Sequence, residues 1–336
     1  MNPADFSAQA RSRLDAKIPF ALYAEPGSRV VKGIFSSGRP ADCEFVFAPF
    51  GDGELLTIAF DADDVFHAEL PVIPTEFEGH ESPDAGRFTI LVQKALAEIE
   101  AGKLRKVVVS RIEEFRYPAS FILAAFSRMV RTYPSAFRYC WYHPHSGLWM
   151  GATPERLLRA VGPDFYTMAL AGTMPLHPSG HYVWGEKEKA EQRYVTDYIF
   201  EKLRPMASEI GQHGPLTAQA GSIVHLKTEL SGVLKPGFSA ADLVRALHPT
   251  PAVCGIPPSA AKSFIVENEG YDREYYSGYL GILSPGKTDL YVNLRCMRWA
   301  DGTARLFMGC GINQGSDPSR EFEETVNKSK TIKSIL

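Results

Sequence analysis

Residues 308–336 read MGCGINQGSDPSREFEETVNKSKTIKSIL. A strand broken by Gly309 and Gly311 runs into Gly315-Ser316-Asp317-Pro318, where Asp317 suits a helix N-cap and Pro318 the first helical position. The helix predicted to start there carries Glu321, Glu324 and Lys328, which at spacings of three and four share one face. Two carboxylates and an ammonium beside a glycine-lined backbone can hold a divalent cation and an anionic ligand together. Taken alone, the same E-x-x-E-x-x-x-K spacing describes an ordinary salt-bridged terminal helix. The remainder of the chain decides between these readings.

With 336 residues, 45% of them hydrophobic, the chain can bury a sizeable core. The formal net charge is −3, and the basic residues are scattered, so neither nucleic acid nor an acidic membrane is implied as a partner. A small soluble ligand is expected instead. Cys43, Cys140, Cys254, Cys296 and Cys310 are odd in number and have no C-x-x-C spacing, which argues against a disulfide framework and a zinc site. The first twenty residues carry charges where a secretory signal would be apolar, and no run reaches the ~18 apolar residues of a membrane span. The expectation is a cytoplasmic, unprocessed protein.

Residues 1–85 read as short strands broken by Gly and Pro, with 29–35, 43–47 and 55–60 enriched in β-branched and aromatic residues. The proline-rich, acidic stretch 70–83 suits a linker or long surface loop. It marks a soft boundary between an N-terminal portion, 1–85, and a main domain, 86–336. A helix is predicted over 88–101, with Gly102 as its stop. In KLRKVVVSRIEEF, residues 103–115, strand alternation puts Lys106, Val108 and Ser110 on one face. A lysine there either runs its ammonium out to water or keeps it partly desolvated, where it can act as a base.

A helix over 118–131 precedes a hairpin of strands at 137–143 and 148–152. The second strand ends in Gly151-Ala152-Thr153-Pro154-Glu155-Arg156, so Glu155 is either an exposed loop carboxylate paired with Arg156 or a general acid at the rim of a sheet. A strand over 165–170 opens into Ala171-Gly172-Thr173. The segment 186–205, EKEKAEQRYVTDYIFEKLRP, is an amphipathic helix ended by its proline, and Glu188 and Glu191 share a face in its polar first turns. Two such glutamate pairs on two helices could converge on one hard cation such as Mg²⁺, which takes carboxylate and water oxygens. A strand over 222–234, a helix over 239–247, a proline-rich loop over 248–258, a helix over 260–268 and strands over 276–283, 290–299 and 304–308 complete the chain. Arg295 lies among apolar neighbours in YVNLRCMRW. Its partner is either an internal carboxylate or the carboxylate of a ligand held bidentately.

KVVVSR at 106–111, GATPERL at 151–157, LAGT at 170–173, KEKAEQ at 187–192, HLKTELSG at 225–232, HPTPAVCG at 248–255, YYSGYLG at 275–281, LRCMR at 294–298 and GCGINQGSDPSREFEETVNK at 309–328 occur in this order. Through them the chain from about residue 88 onward resembles the chorismate-utilising enzymes and, among these, the isochorismate synthase branch. The resemblance implies an α+β fold of two large, mostly antiparallel β-sheets packed with outer helices, action on chorismate, and dependence on Mg²⁺. It implies Glu191 and Glu324 as direct metal ligands, supported by Glu188 and Glu321. Arg295, Tyr276, Lys328 and the backbone around Gly309, Cys310 and Gly311 would clamp the substrate carboxylates, with Gly172 and Thr173 on the ring side. Lys106 would activate water for attack on ring carbon C2, and Glu155 would protonate the departing C4 hydroxyl.

Ammonia-adding relatives carry glutamine where Lys106 stands, and aminodeoxychorismate synthases a lysine where Ala171 stands. Salicylate synthases, which go on to eliminate pyruvate, have a threonine in the loop matching Ala252-Val253. Ala252 therefore favours a reaction that stops at isochorismate, with salicylate synthesis or a non-catalytic chorismate-binding paralogue as the alternatives. The resemblance also implies a monomer without a glutaminase subunit, working in menaquinone or siderophore biosynthesis. Two departures stand out. Gln192 occupies a position that is usually histidine, which would alter a contact beside the metal ligand, and the region before the shared domain is short for a regulatory inhibitor pocket.

Overall fold

The β-branched and aromatic runs, punctuated by Gly and Pro, condense into an almost wholly antiparallel architecture. The computed structural model describes residues 2–71, 85–221 and 223–336; past Pro71, the expected linker lies outside the described residues. Helix α1 (Pro3–Asp15) leads into β1 (Phe20–Ala24), β2 (Val31–Ile34), β3 (Cys43–Ala48), β4 (Leu56–Phe60) and β5 (Val65–Ala68). Next come α2 (Ala85–Glu100), β6 (Lys106–Arg116), α3 (Ile122–Thr132), β7 (Phe137–His143), β8 (Gly147–Thr153), β9 (Arg156–Val161), β10 (Asp164–Pro175) and α4 (Glu186–Leu203). The chain continues through β11 (Ala207–Ala220), β12 (Ile223–Leu234), α5 (Ala240–Leu247), β13 (Gly255–Ile256), α6 (Pro258–Asn268) and β14 (Tyr279–Ser284). It closes with β15 (Lys287–Val292), β16 (Cys296–Ala300), β17 (Thr303–Asn313) and α7 (Pro318–Lys333).

One sheet has nine strands in the order β13-β6-β17-β16-β8-β7-β1-β2-β5, the other eight in the order β11-β12-β10-β9-β15-β14-β3-β4. Every pairing is antiparallel. Strands β1, β2 and β5 extend the first sheet and β3 and β4 the second, so the N-terminal strands belong to the same two layers as the rest.

The sheets face each other across an aromatic core. Phe45 stacks on Trp141 at 5.5 Å, Phe47 on Tyr275 at 4.5 Å and Phe137 on Tyr291 at 4.3 Å between ring centres. Such pairs add orientation to the large area these rings bury. Helices α1 and α3 and the end of α7 cover most of the outer face of the first sheet, while α2 and α6 cover its β6–β17 end. Helices α4 and α5 cover the second sheet. Among the described residues, no helix is long and apolar enough to cross a membrane.

Four local expectations are corrected. The strand-only reading of the N-terminal region misses α1, which Asn2 caps by accepting the Asp5 N–H and which Pro3 opens. The run 290–299 is two strands in different sheets, separated by Arg295 in a left-handed backbone conformation at φ 48°. Strand propensity is uniform over that run and does not tell where the chain leaves one sheet for the other. Tyr276 lies in a turn ahead of β14 rather than within the expected strand. Strand β11 was not foreseen, because it is an exposed edge carrying Gly211, Gly214 and Pro215, with few of the residues that advertise a strand.

Candidate active site

The central feature is β17. Its alternation points Gly309 and Gly311 into the space between the sheets, while Cys310 and Ile312 join the core under α2 and α6. The register with β6 sets Gly311 opposite Val108, Gly309 opposite Ser110 and Asn313 opposite Lys106. A Cβ at Gly311 would lie 2.1 Å from Glu191 Oε1 and 3.0 Å from Lys106 Cε, and one at Gly309 would lie 2.7 Å from the Tyr276 hydroxyl. Only glycine leaves these three side chains where they are.

A cavity opens beside this bare backbone, with about 630 Å³ of empty space that includes open solvent at its mouth. Glu155, Gly172, Thr173, Glu191, Ala252, Tyr276, Arg295, Gly309, Cys310, Gly311, Glu324 and Lys328 all line it. Lys106, Glu188 and Glu321 do not. Lys106, fully buried at the start of β6, stands behind Glu191 and Gly311. Its ammonium is 3.0 Å from Glu191 Oε1 but out of line for a hydrogen bond.

Helix α7 starts as its sequence predicts, with the Asp317 side chain accepting the Arg320 N–H at 3.0 Å. It lays Lys328 over the glycine strand, where the ammonium donates to Gly309 O at 2.9 Å and to Glu324 Oε1 at 2.6 Å. Across the cavity, the register of β10 with β12 slips between Ala171 and Thr173. This leaves Gly172 as a bulge at φ 69°, a conformation glycine reaches without strain. The bulge frees both its backbone groups. Its N–H donates to Glu191 Oε2 at 3.2 Å, and its carbonyl accepts from His225 Nδ1 at 2.8 Å.

The other ring nitrogen of His225, Nε2, accepts from Arg295 Nη2 at 3.1 Å, and Arg295 Nη1 donates to Thr331 Oγ1 at 3.2 Å. Burial, then the charges of Arg295 and Lys328, hold the His225 imidazole well below its ordinary range. It is thus a neutral ring, protonated on Nδ1. Arg295 forms no ion pair among the described residues; Glu324 and Glu155 act on it only through their charge. Its guanidinium is desolvated, braced from two sides and left without a matching carboxylate.

Glu155 sits between β8 and β9, only 3% exposed. Burial pushes its carboxyl up to about 7, against the lowering effect of the Lys106, Lys328 and Arg295 charges. Arg156 is not its partner, since it pairs with Asp289 at 2.9 Å. A carboxyl of this kind carries a proton near neutral pH and can give it up.

The glutamates of α4 and α7 approach one another from two helices. Glu321 pairs with Lys187, whose ammonium also feels Glu191 and Glu324. Lys187 thus pairs with one of these carboxylates and feels the charge of two more, and the charge of Glu324 adds to burial in pushing the Glu321 carboxyl up. This all-oxygen donor set suits a hard divalent cation. Among the described residues no group of three or more acidic, histidine or cysteine side chains is placed to hold a metal ion, so a cation held by a pair of these carboxylates would draw its remaining oxygens from water and ligand. Glu188 is half-buried and lies against Gly172 and Gly185. Gln192 turns from the cavity to the sheet, donating to Ala169 O at 3.1 Å and Thr228 Oγ1 at 3.0 Å.

Sequence reading assigned nothing to His225 or Lys187. The signal for the first was a lone histidine in the apolar run IVHL; the second was hidden among the charges of EKEKAEQ.

The family profile described as Chorismate binding enzyme matches residues 62–336. Isochorismate synthase EntC of Escherichia coli K12 is 31% identical over 267 residues, covering 76% of this chain and 68% of that protein. Isochorismate synthase MenF of the same organism is 29% identical over 266 residues, covering 76% and 61%. The crystal structure of DhbC from Bacillus anthracis superposes with a TM-score of 0.82 over 97% of this chain and 99% of that one, at 22% identity, a likeness of fold. With the two-sheet architecture and a match over most of its length, the chain belongs to the chorismate-binding enzyme family.

Proposed function

We propose that this protein is an isochorismate synthase, converting chorismate to isochorismate by adding water at ring carbon C2 and expelling the hydroxyl at C4. The observation that carries the reading is Glu155, a buried carboxyl whose proton is poised near pH 7 in a cavity that carries cations for a dianionic ligand. The sequence relatives in Escherichia coli that bear this name support it.

In this reading Lys106 acts in its neutral amine form, accepting a proton from water as the oxygen bonds to C2. The displaced electron pair moves through the ring, the C4–O bond breaks, and Glu155 protonates the leaving oxygen. One water enters and one leaves, so the net change is an isomerisation. A side chain at position 311 would press on Glu191 and on Lys106 behind it, so Gly311 lets both keep their places. Each positioned proton transfer contributes about 10²–10⁴-fold.

Arg295, Lys328, Tyr276 and the backbone of Gly309, Cys310 and Gly311 bind the substrate carboxylates, while Gly172, Thr173 and Ala252 border the ring. Glu191 and Glu324 would hold Mg²⁺, with Glu188 and Glu321 in support. When bound, the cation neutralises a substrate carboxylate and fixes the orientation of the ring.

Proton NMR of the protein with chorismate, with and without Mg²⁺, tests the proposal. Isochorismate signals growing to an equilibrium mixture, without pyruvate, are expected. Pyruvate with salicylate would move the protein to the lyase reaction, and an unchanged spectrum in the presence of Mg²⁺ would refute catalysis.

A further inference from the structure

Behind the cavity wall lies an ion pair that contacts none of the cations or carboxylates so far described. Arg273 and Glu269 pair with side chains 2% and 0% exposed. Burying two charges is costly unless nearly every donor and acceptor is satisfied, and here the partners are specific. Arg273 Nε donates to Glu269 Oε2 at 2.8 Å, Nη1 to Val253 O at 2.9 Å and Nη2 to Val108 O at 2.7 Å. Glu269 Oε1 accepts the Ser110 N–H at 2.7 Å and the Ser110 hydroxyl at 2.9 Å. The guanidinium also lies 5.7 Å from the centre of the Tyr276 ring and 4.5 Å from that of Phe50.

These partners are not a random sample of the interior. Val108, Val253 and Tyr276 line the cavity, and each comes from a different segment. Val108 and Ser110 lie on the strand and the strand face that carry Lys106. Val253 lies in the loop bearing Ala252, and Tyr276 lies in the turn before β14. Beyond the main-chain pairing of the loop with β6, one planar, five-donor group holds two of the three wall segments by their carbonyls and lies against the third, a geometry a lysine cannot reproduce.

We propose that Arg273 and Glu269 are positioning residues. They set where the 248–256 loop and Tyr276 stand relative to the Lys106 strand, and through that the distance between ring and base, without touching substrate. This deepens the isochorismate synthase reading and rests on it.

The test uses two variants of the full chain. Arg273→Lys keeps the charge and loses the fork. Glu269→Leu combined with Arg273→Met removes both charges, so that no unpaired ion remains to unfold the protein. The double variant is expected to melt close to wild type, with amide hydrogen exchange faster over residues 250–256 and at Ser110. Its kcat should fall by about 100-fold, the scale of an ångström of misplacement, with KM changed far less. Arg273→Lys should fail to restore kcat. Wild-type kcat or unchanged exchange in the double variant overturns the proposal. If wild-type protein leaves chorismate unchanged, the functional reading has failed, and the exchange result alone decides whether the pair positions the wall.

Discussion

Replacing Glu155 by glutamine removes a buried titratable carboxyl and keeps the shape of the side chain. Burial lifts this carboxyl from an ordinary 4.5 to about 7. At 1.36 kcal/mol per tenfold in the protonation equilibrium, holding it ionised inside the fold costs about 3 kcal/mol relative to the unfolded chain. Between pH 4.5 and about 7 the native protein binds more protons at this position than the unfolded one. Stability from this group therefore falls as pH rises through that window and is level above it. Glutamine has no such dependence. The stability of Glu155→Gln minus that of wild type should grow by about 2–3 kcal/mol between roughly pH 5 and pH 8, the other titrating groups cancelling in the difference. Urea unfolding of both proteins at the two pH values measures it. Turnover of chorismate by the same variant should drop by about 10²–10⁴-fold, making it a more stable and less active protein at alkaline pH. An equal stability difference at both pH values would refute a carboxyl held protonated by burial, and with it the ground for calling Glu155 the acid.

Lys106→Met should lose about 10²–10⁴-fold in kcat while near-ultraviolet circular dichroism stays native; retained turnover would remove the lysine from its role as base. Gly311→Ala places a methyl 2.1 Å from Glu191 Oε1 and 3.0 Å from Lys106 Cε, so it should abolish turnover without unfolding the chain, which a rate assay and a melting curve read together. Arg295→Lys cannot span Thr331 and His225 and offers no fork to a carboxylate. Its KM for chorismate should rise by about 10–100-fold, the scale of one or two charge-assisted hydrogen bonds, with kcat less affected. Glu324→Gln should weaken Mg²⁺ binding in calorimetric titration of the protein with chorismate present; unchanged affinity would take Glu324 out of the proposed metal set.

Some of this was readable from the chain alone. The Asp317-Pro318 start of α7 is local chemistry, a cap and a ring with fixed φ, and the structure has the helix there. Strand alternation put Lys106, Val108 and Ser110 on one face, and that face meets Gly309 and Gly311. Spacing within a helix also fixed which glutamates travel together. It could not say where each carboxylate goes: Glu321 turns to Lys187, and Glu188 lies against Gly172 and Gly185. Nor did it reveal that Lys106 stands behind the cavity wall, or that Arg273 and Glu269 tie three wall segments together.

The sequence by itself determined the local elements that period and capping encode, and through its ordered motifs the family and the set of candidate residues. Only the tertiary structure decided that 290–299 divides between two sheets at Arg295, that a bulge at Gly172 hands its backbone groups to Glu191 and His225, and that Glu155 is buried deeply enough to keep its proton near neutral pH. The reason is physical. Capping and alternation act over a few residues, whereas burial, and the field that shifts a carboxyl, are sums over groups such as Lys106, Arg295 and Lys328 that only the packing of both sheets brings to one place.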